Sequence, residues 1–291
     1  TGGASPETPA FGRGRFLSGR AYHPVRLPMY DWPQVRTATE RLEHALQVAL
    51  VDALGLQPSD CVAWPEDRGL EVNWLQPGLL LSQTCGYPLT HALKGRVRPV
   101  GVPHYAADGC EGGRYCSHLV VARDSDFQSL TGLRGRRAVY NGPDSQSGMN
   151  AFRYEVAKVA GGAPFFSSVS ESGGHLASLH AVAEGMADVA SVDAVCWALA
   201  CQELPDLAAK LRSIGRTASV PGLPLVSSFS FTEAEAETIA LTVQSVFADA
   251  AFAEDRSRLL ITGFSTISDV DYAPILDMER RAADQGYPEL A

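Results

Sequence analysis

The sequence predicts an α/β protein with two lobes. Short apolar runs alternate with segments of helical periodicity along most of the 291 residues, a pattern typical of α/β folds. The alternation is most regular between residues 118 and 202, where it predicts a compact βαβαβ unit that is long enough to be a lobe. The Pro- and Gly-rich segment 221–224 then predicts that the chain crosses back. The middle lobe is therefore expected to be inserted between two halves of the other.

The predicted boundaries follow from these features. Residues 1–24 are rich in Gly, Pro and Ser and are expected to form a flexible tail. Residues 25–118 and 219–291 are assigned to lobe 1, and residues 119–218 to lobe 2. Two chain crossings make a two-stranded hinge, and a cleft is expected between the lobes.

Lobe 1 is predicted from a few clear elements. Residues 25–29 are expected to form a strand, and an apolar stripe over 35–53 predicts a helix that ends at Gly55. Residues 79–81 and 97–102 are predicted as buried strands. After the crossing, Thr232 and Glu235 form a capping box at the start of a helix predicted to continue to 251, and the remainder is expected to be helical.

Lobe 2 is predicted to alternate strands and helices around a parallel sheet. The predicted strands cover 118–122, 137–140, 165–169 and 188–192, and the predicted helices or turns cover 127–133, 149–160, 176–185 and 194–202. In a parallel sheet, the loops that follow successive strands meet at one edge, which is where open α/β folds bind ligands.

Composition excludes several classes of function. The formal net charge is −9 and the sequence pI is near 5.3, so binding to nucleic acid or to an acidic membrane surface is not expected. No apolar run approaches the length of about 20 residues needed to span a bilayer. An anion bound by this chain must therefore be held by local dipoles and hydrogen bonds.

The six cysteines do not indicate a metal site. Cys110 and Cys116 could close a small loop in an oxidising compartment. Cys196 and Cys201 fall in an apolar helical stretch and are expected to be buried, unreactive thiols. Ligand spacings such as Cys-x-x-Cys are absent from the sequence, so no metal and no cofactor is predicted.

The segment 141–148 carries the strongest chemical signal. It follows a predicted strand and precedes a helix, and it contains Ser145 and Ser147 beside Gly148. Free backbone N–H groups, hydroxyls and the positive end of the helix dipole favour an anion at such a position. The alternative is an ordinary helix cap, which a single Ser would satisfy.

Further polar residues are predicted to reach the same cleft. The segment 170–175 occupies the equivalent place after the next strand and ends in His175, which could donate a hydrogen bond to an oxyanion. Asp193 ends the third strand and could accept hydrogen bonds from a ligand, or simply cap a helix. The lobe 1 candidates, for which ordinary packing is the alternative, are Tyr30, Gln83, Thr84 and Tyr105.

Five segments together resemble a known family. They are Leu27-Pro-Met-Tyr-Asp31, Leu80-Leu-Ser-Gln-Thr-Cys-Gly-Tyr87, Asp144-Ser-Gln-Ser-Gly148, Ser172-Gly-Gly-His175 and Asp188-Val-Ala-Ser-Val-Asp193, in that order. Their order and spacing resemble the phosphate, phosphite and phosphonate solute-binding proteins of ABC importers, of the PhnD-like type. The resemblance covers about residues 25–285 and implies a type 2 periplasmic-binding-protein fold with two α/β lobes.

The resemblance also implies roles for individual residues. Ser145, Gln146 and Ser147 match the family's Ser-Thr-Ser anion loop, with Gln in place of Thr, and His175 matches a His that reaches the phosphoryl oxygens. Tyr105 resembles a lobe 1 Tyr of the pocket, and Asp193 resembles an acidic residue near the other end of the ligand.

The leading hypothesis is a solute-binding protein that captures a small anion, phosphate- or phosphonate-like, for an ABC permease. Catalytic motifs such as Gly-x-Ser-x-Gly or a P-loop are absent from the sequence, so no catalytic residue is assigned. The alternative is an enzyme or a cytosolic ligand sensor on the same clamp fold, acting on a small organic acid or a cofactor precursor. The resemblance implies a periplasmic or extracytoplasmic location, whereas the absence of a signal peptide from residues 1–24 leaves a cytoplasmic one open. A monomer is expected because the clamp must open.

Overall fold

The computed structural model describes residues 20–64, 68–266 and 269–291. The strands are β1 (Ser82–Gln83), β2 (Val97–Tyr105), β3 (Cys110–Glu111), β4 (Arg114–Tyr115), β5 (Ser117–Ala122), β6 (Arg137–Tyr140), β7 (Ser168–Glu171), β8 (Val189–Asp193), β9 (Leu211–Arg216), β10 (Val220–Pro221), β11 (Leu225–Ser228) and β12 (Ile261–Ser265). The α-helices are α1 (Arg36–Ala53), α2 (Leu70–Trp74), α3 (Gly86–Thr90), α4 (Ala151–Ala160), α5 (His175–Ala183), α6 (Ala194–Glu203), α7 (Pro205–Ala208), α8 (Glu233–Ala248), α9 (Ala253–Arg258) and α10 (Ala273–Asp284).

Two sheets form the two lobes of the predicted α/β fold. Lobe 1 contains a sheet in the order β1-β11-β2-β12, and lobe 2 contains a sheet in the order β7-β6-β8-β5-β9. The chain passes from lobe 1 to lobe 2 along β3 and β4 and returns along β10, which pairs with β4 in a small three-stranded sheet. This small sheet connects the two lobes.

Lobe 2 departs from the predicted parallel sheet. Strand β6 is parallel to both β7 and β8, as expected, but β5 is antiparallel to β8 and to β9. The parallel part still brings the ends of β6, β7 and β8 to one edge. This is the edge that faces lobe 1, because Tyr30 of lobe 1 is bonded to Asp193 at the end of β8.

Several lobe 1 predictions need correction. Residues 25–29 make only an isolated bridge, between Arg26 and Ser82, and the strand predicted at 79–81 is found at β1 instead. The region after residue 251 is not wholly helical, since β12 pairs with β2. The capping box at Thr232 and Glu235 is confirmed and opens α8.

The start of the described chain packs on lobe 1. Residues 1–19 of the predicted tail lie outside the described residues, but residues 20–24 are ordered parts of the lobe. Tyr22 is only 2% exposed and bridges to Cys61, and Arg20 pairs with Glu235 at the start of α8. The end of the predicted tail, residues 20–24, is thus part of lobe 1.

Helix α10 connects the two lobes. Its Glu279 accepts a hydrogen bond from Tyr87 of lobe 1 at 2.7 Å, contacts His91 at 2.8 Å and pairs with Arg153 of α4 at 3.5 Å. The residues that follow pack into the core of lobe 2, where Tyr287 is buried. The C-terminal part of 219–291 is therefore shared between the lobes.

All six cysteines lie within the described residues and are free thiols. Cys110 and Cys116 flank the β3–β4 hairpin without bonding to each other, and Cys110 lies opposite Tyr115. Cys196 is buried, as predicted, whereas Cys201 is exposed. Within the described ranges, no helix has both the length and the apolar character needed to cross a bilayer.

Candidate ligand-binding cleft

A cavity of about 600 Å³ lies between the lobes. Lobe 2 contributes the loops after β6, β7 and β8, and lobe 1 contributes the segment around residue 30 and helix α2. The lining residues are Pro28, Met29, Tyr30, Trp32, Gly69, Leu70, Glu71, Trp74, Cys85, Pro88, Asn141, Gly142, Asp144, Ser145, Ser147, Gly173, Gly174, His175, Leu176, Asp193, Cys196 and Leu223. A site of this size suits a small organic ligand.

The loop after β6 presents two serines to this cavity. Its chain enters α4 through a wide turn in which the N–H of Asn150 donates to the carbonyl of Ser145 at 3.0 Å. The Ser145 Oγ accepts from the N–H of Gly148 at 3.0 Å and lies 3.4 Å from the Ser147 Oγ. The loop therefore places two hydroxyls and the start of a helix around one point, which is the arrangement that binds oxyanions.

Gly148 is required at its position in this loop. A Cβ added there would lie 1.8 Å from the Oδ1 of Asn141, which is closer than any contact between real atoms. The side chain of Asn141 fills the space that a larger residue would need. The turn is also held from behind, because the Ser117 and Ser191 hydroxyls donate to the carbonyl of Ser147 at 3.0 and 2.7 Å.

His175 begins α5 and meets the serine loop directly. Its Nε2 lies 2.8 Å from the Oγ of Ser147, and its Nδ1 is buried without a hydrogen-bond partner. Burial lowers the pKa of His175 to about 4, because removal from water disfavours the charged ring. His175 is therefore a neutral imidazole at pH 7, and its Nδ1 is an unpaired polar atom beside the cavity.

Asp193 closes the opposite side of the loop cluster. It caps α6, where its Oδ1 accepts from the N–H groups of Val195 and Cys196 at 2.7 and 3.3 Å. Its Oδ2 accepts from the Tyr30 hydroxyl at 3.0 Å, which is a bond between the lobes. Burial raises the pKa of Asp193 to about 6, and the three hydrogen bonds oppose that rise.

Five of the nine predicted site residues thus line one cavity: Tyr30, Ser145, Ser147, His175 and Asp193. The other four lie behind its walls. Gln83 donates to the Tyr105 hydroxyl at 3.0 Å, and the Tyr105 ring packs edge-on against Tyr30 with 5.2 Å between ring centroids. The side chain of Thr84 is fully buried.

Gln146 does not face the cavity, although it lies between two serines that do. Its side chain accepts from Asn150 at 2.7 Å and contacts the sulfur of Met278 on α10 at 3.4 Å. Its backbone N–H donates to the sulfur of Cys85, which belongs to lobe 1, at 3.3 Å. The Gln that stands where the resemblance expects Thr therefore contacts Asn150 and α10 rather than the cavity.

Several lining residues were missed by sequence reasoning. Trp32 and Trp74 form aromatic wall, and Leu70 lines the cavity while remaining 44% exposed. The hydroxyl of Tyr115 is buried near Ser147 and Cys85 without a hydrogen bond of good geometry. Trp32 lies two residues after Tyr30 at the end of the same segment, which is the one signal that could have pointed to it.

The described lining residues carry no lysine or arginine. Attraction for an anion at this site must come from hydroxyls, the neutral His175 and the starts of α4 and α5. The described residues also hold no cluster of three or more His, Cys, Asp or Glu side chains suited to a metal ion. The cleft is built to bind by hydrogen bonds.

Residues 80–272 match the family model described as the phosphonate periplasmic substrate-binding protein of ABC transporters. The match covers most of the chain, including both lobes and the serine loop. The chain belongs to this family of substrate-binding proteins. The family serves transport rather than catalysis, so the predicted solute-binding function for ABC import is confirmed at the level of the family.

Solved structures show the same fold. PhnD1 from Prochlorococcus marinus, in complex with methylphosphonate, matches with a TM-score of 0.69 at 14% identity over 91% of this chain and 99% of that one. A binding protein component of an ABC phosphonate transporter from Pseudomonas aeruginosa has a TM-score of 0.67 at 17% identity, over 92% and 88% of the two chains. A Xanthomonas citri protein bound to ATP has a TM-score of 0.66 at 15% identity, over 91% and 98%.

At these identities the structures establish the fold of this substrate-binding protein and not its ligand. No curated protein matches the chain by sequence. The predicted type 2 periplasmic-binding-protein fold is confirmed by the neighbouring structures and the family match.

Proposed function

We propose that this substrate-binding protein captures a phosphonate-like oxyanion in the cleft, with the phosphoryl group at Ser145, Ser147 and His175. The observation that carries the proposal is the convergence of two serine hydroxyls, a neutral imidazole and two helix starts on one wall of the cavity. Such groups bind oxyanions through hydrogen bonds and helix dipoles. Methylphosphonate bound to a family relative of the same fold adds support.

The neutral donors suit a phosphoryl group that carries little charge. A buried dianion without a cationic partner would pay a large desolvation cost. A monoanion can instead donate its own proton to an acceptor, and the acceptors at hand are the serine oxygens and the carboxylate of Asp193. The proposed ligand is therefore bound most tightly in its singly charged form.

Residues behind the cavity are proposed to position those that line it. Tyr105 packs on Tyr30, and Gln83 is bonded to Tyr105, so the pair fixes the ring that reaches Asp193. We assign Thr84 to the same supporting layer because its side chain is fully buried beside β1. Gln146 is proposed to link the serine loop to α10 and Cys85.

Ligand capture is proposed to bring the lobes together about the β3–β4 and β10 hinge, and an ABC permease then recognises the closed form. We propose lobe boundaries near residues 118 and 219, with α10 contacting both lobes. A periplasmic location follows from the family, and a monomer suits a clamp that opens and closes.

A thermal-shift panel tests the proposal. The purified chain is heated with phosphate, phosphite, methylphosphonate, 2-aminoethylphosphonate, sulfate and small carboxylates. A ligand at about 100 times its Kd stabilises the fold by about 2.7 kcal/mol, which raises Tm by a few degrees. A shift with phosphorus oxyanions alone is the expected result. A shift with carboxylates alone, or with none of the panel, would overturn the assignment of ligand class.

A further inference from the structure

A second cavity of about 300 Å³ adjoins the cleft cavity on the far side of α2. The two cavities share three wall residues, Pro28, Leu70 and Trp74. Leu70 and Trp74 are the first and last residues of α2, so this short helix forms the partition between the two spaces. The second cavity, which we call the side pocket, is thus the neighbour of the ligand cleft, with Pro28, Leu70 and Trp74 between the two.

The cleft is much larger than a phosphonate head group requires. Methylphosphonate has five heavy atoms, and at about 30 Å³ for each, the share of a water molecule in liquid water, it fills at most about 150 Å³. The cleft cavity alone measures about 600 Å³. The remaining space can hold a substituent several times the size of the head group.

The walls of that remaining space are apolar and aromatic. Trp32 and Trp74 are almost fully buried, and Met29 and Leu176 extend the same surface. Leu70 lies on this wall with 44% of its surface exposed. Covering that apolar surface with a ligand would be favourable. A flat ring bound at this wall would cover Leu70 and contact the part of the Trp74 side chain that lines the cavity.

The side pocket contains groups of both signs: Arg26 is paired with Glu43 at 3.4 Å, Arg68 is exposed, and two acceptors lack partners. The Oδ1 atoms of Asp31 and Asn73 are both buried in its wall without hydrogen-bond partners. The other carboxylate oxygen of Asp31 is paired with Arg36 at 3.1 Å. Buried acceptors without partners cost free energy, and a ligand N–H group that reached them would remove this cost.

We propose, on the basis of the function proposed above, that the ligand is a phosphonate or phosphate monoester with an aromatic substituent that ends in an N–H donor. The head group lies at the serine loop, the ring packs on Leu70 and Trp74, and the donor reaches Asp31 and Asn73 in the side pocket. The selectivity of the protein for its substituent therefore resides in α2 and the segment before α1.

Calorimetric titration of the full chain with three probes tests the ligand class: methylphosphonate, benzylphosphonate and (4-aminobenzyl)phosphonate. Benzylphosphonate is expected to bind at least tenfold tighter than methylphosphonate, because the ring buries apolar surface. The added amine is expected to give a further gain of about two- to tenfold, the net value of one hydrogen bond. Equal or tighter binding of methylphosphonate would overturn the proposal.

Substitutions in α2 locate the ring. Leu70→Ala is expected to weaken benzylphosphonate at least threefold and to leave methylphosphonate unchanged. Val72→Ala is the matched control, because Val72 lies on the same helix, is 40% exposed and lines neither cavity. Equal effects of the two substitutions would refute the placement of the ring. Asn73→Ala should remove the gain from the amine and nothing else, and an unchanged gain would refute the role of the side pocket.

The titrations also separate this inference from the function on which it rests. If methylphosphonate binds and the aryl phosphonates do not bind tighter, the proposed function stands and the aromatic substituent is refuted. If all three phosphonates fail to bind, both are refuted together.

Discussion

Replacing Ser147 with Ala removes one hydroxyl from the cavity wall and leaves the rest of the loop in place. Ser147 is 4% exposed, and its Oγ lies 2.8 Å from the Nε2 of His175 and 3.4 Å from the Oγ of Ser145. A hydrogen bond to a charged ligand contributes about 1.5–3 kcal/mol. The substitution is therefore expected to raise the Kd for methylphosphonate by about 10- to 150-fold.

Isothermal titration of wild type and variant measures the change. Ser213→Ala is the matched control, because the Ser213 Oγ lies 3.0 Å from His118 in the same lobe and outside the cavity. Both substitutions remove a serine from a serine–histidine pair, so both should lower the free energy of unfolding to a similar extent. Only Ser147→Ala should weaken binding. A Kd within twofold of wild type for Ser147→Ala, or an equal loss in the control, would refute the reasoning.

Three further predictions concern the loop, α10 and Asp193. Gly148→Ala forces a Cβ against Asn141 and should lower the free energy of unfolding by about 1–3 kcal/mol; an unchanged Tm contradicts this. Glu279→Gln weakens the contacts of α10 with Tyr87, His91 and Arg153, and should lower the free energy of unfolding in urea by about 1–2 kcal/mol. An unchanged free energy of unfolding would show that these contacts do not stabilise α10. Because burial raises the pKa of Asp193 from 3.8 to about 6, the carboxyl stabilises the fold less as pH rises through that window. Asn at position 193 still caps α6 but does not titrate. The free energy of unfolding of Asp193→Asn, measured relative to wild type, should therefore rise by up to about 3 kcal/mol as pH increases from 3.8 to about 6. A difference that stays constant with pH would refute this role of Asp193.

The arrangement of lobe 2 was largely predictable from local sequence signals. Strands β6 and β7 each lead through a polar loop into a helix start, β8 ends at Asp193 directly before α6, and β6 is parallel to both β7 and β8. Parallel neighbours bring their loops to one edge, so Ser145, His175 and Asp193 meet as the pattern indicates. The directions of β5 and β9 were not predictable, because strand orientation depends on how the chain crosses between the lobes.

Other features depend on contacts between segments that are distant in the chain. β12 is a short strand with a central glycine, and only its pairing with β2 identifies it. The side chain of Gln146 turns from the cavity because the wide turn directs it to Met278, which lies more than 130 residues further along. Trp74 reaches the cleft through α2, a helix of one and a half turns that has no periodicity to detect.

The central claim is that a phosphorus oxyanion binds between the lobes at the serine loop. A crystal structure of the chain with methylphosphonate tests it most directly. The account predicts phosphonate oxygens within hydrogen-bond distance of the Ser147 Oγ and of His175, with both lobes in contact with the ligand. Methylphosphonate bound elsewhere on the protein, or a cleft that stays empty at saturating ligand, would contradict the account.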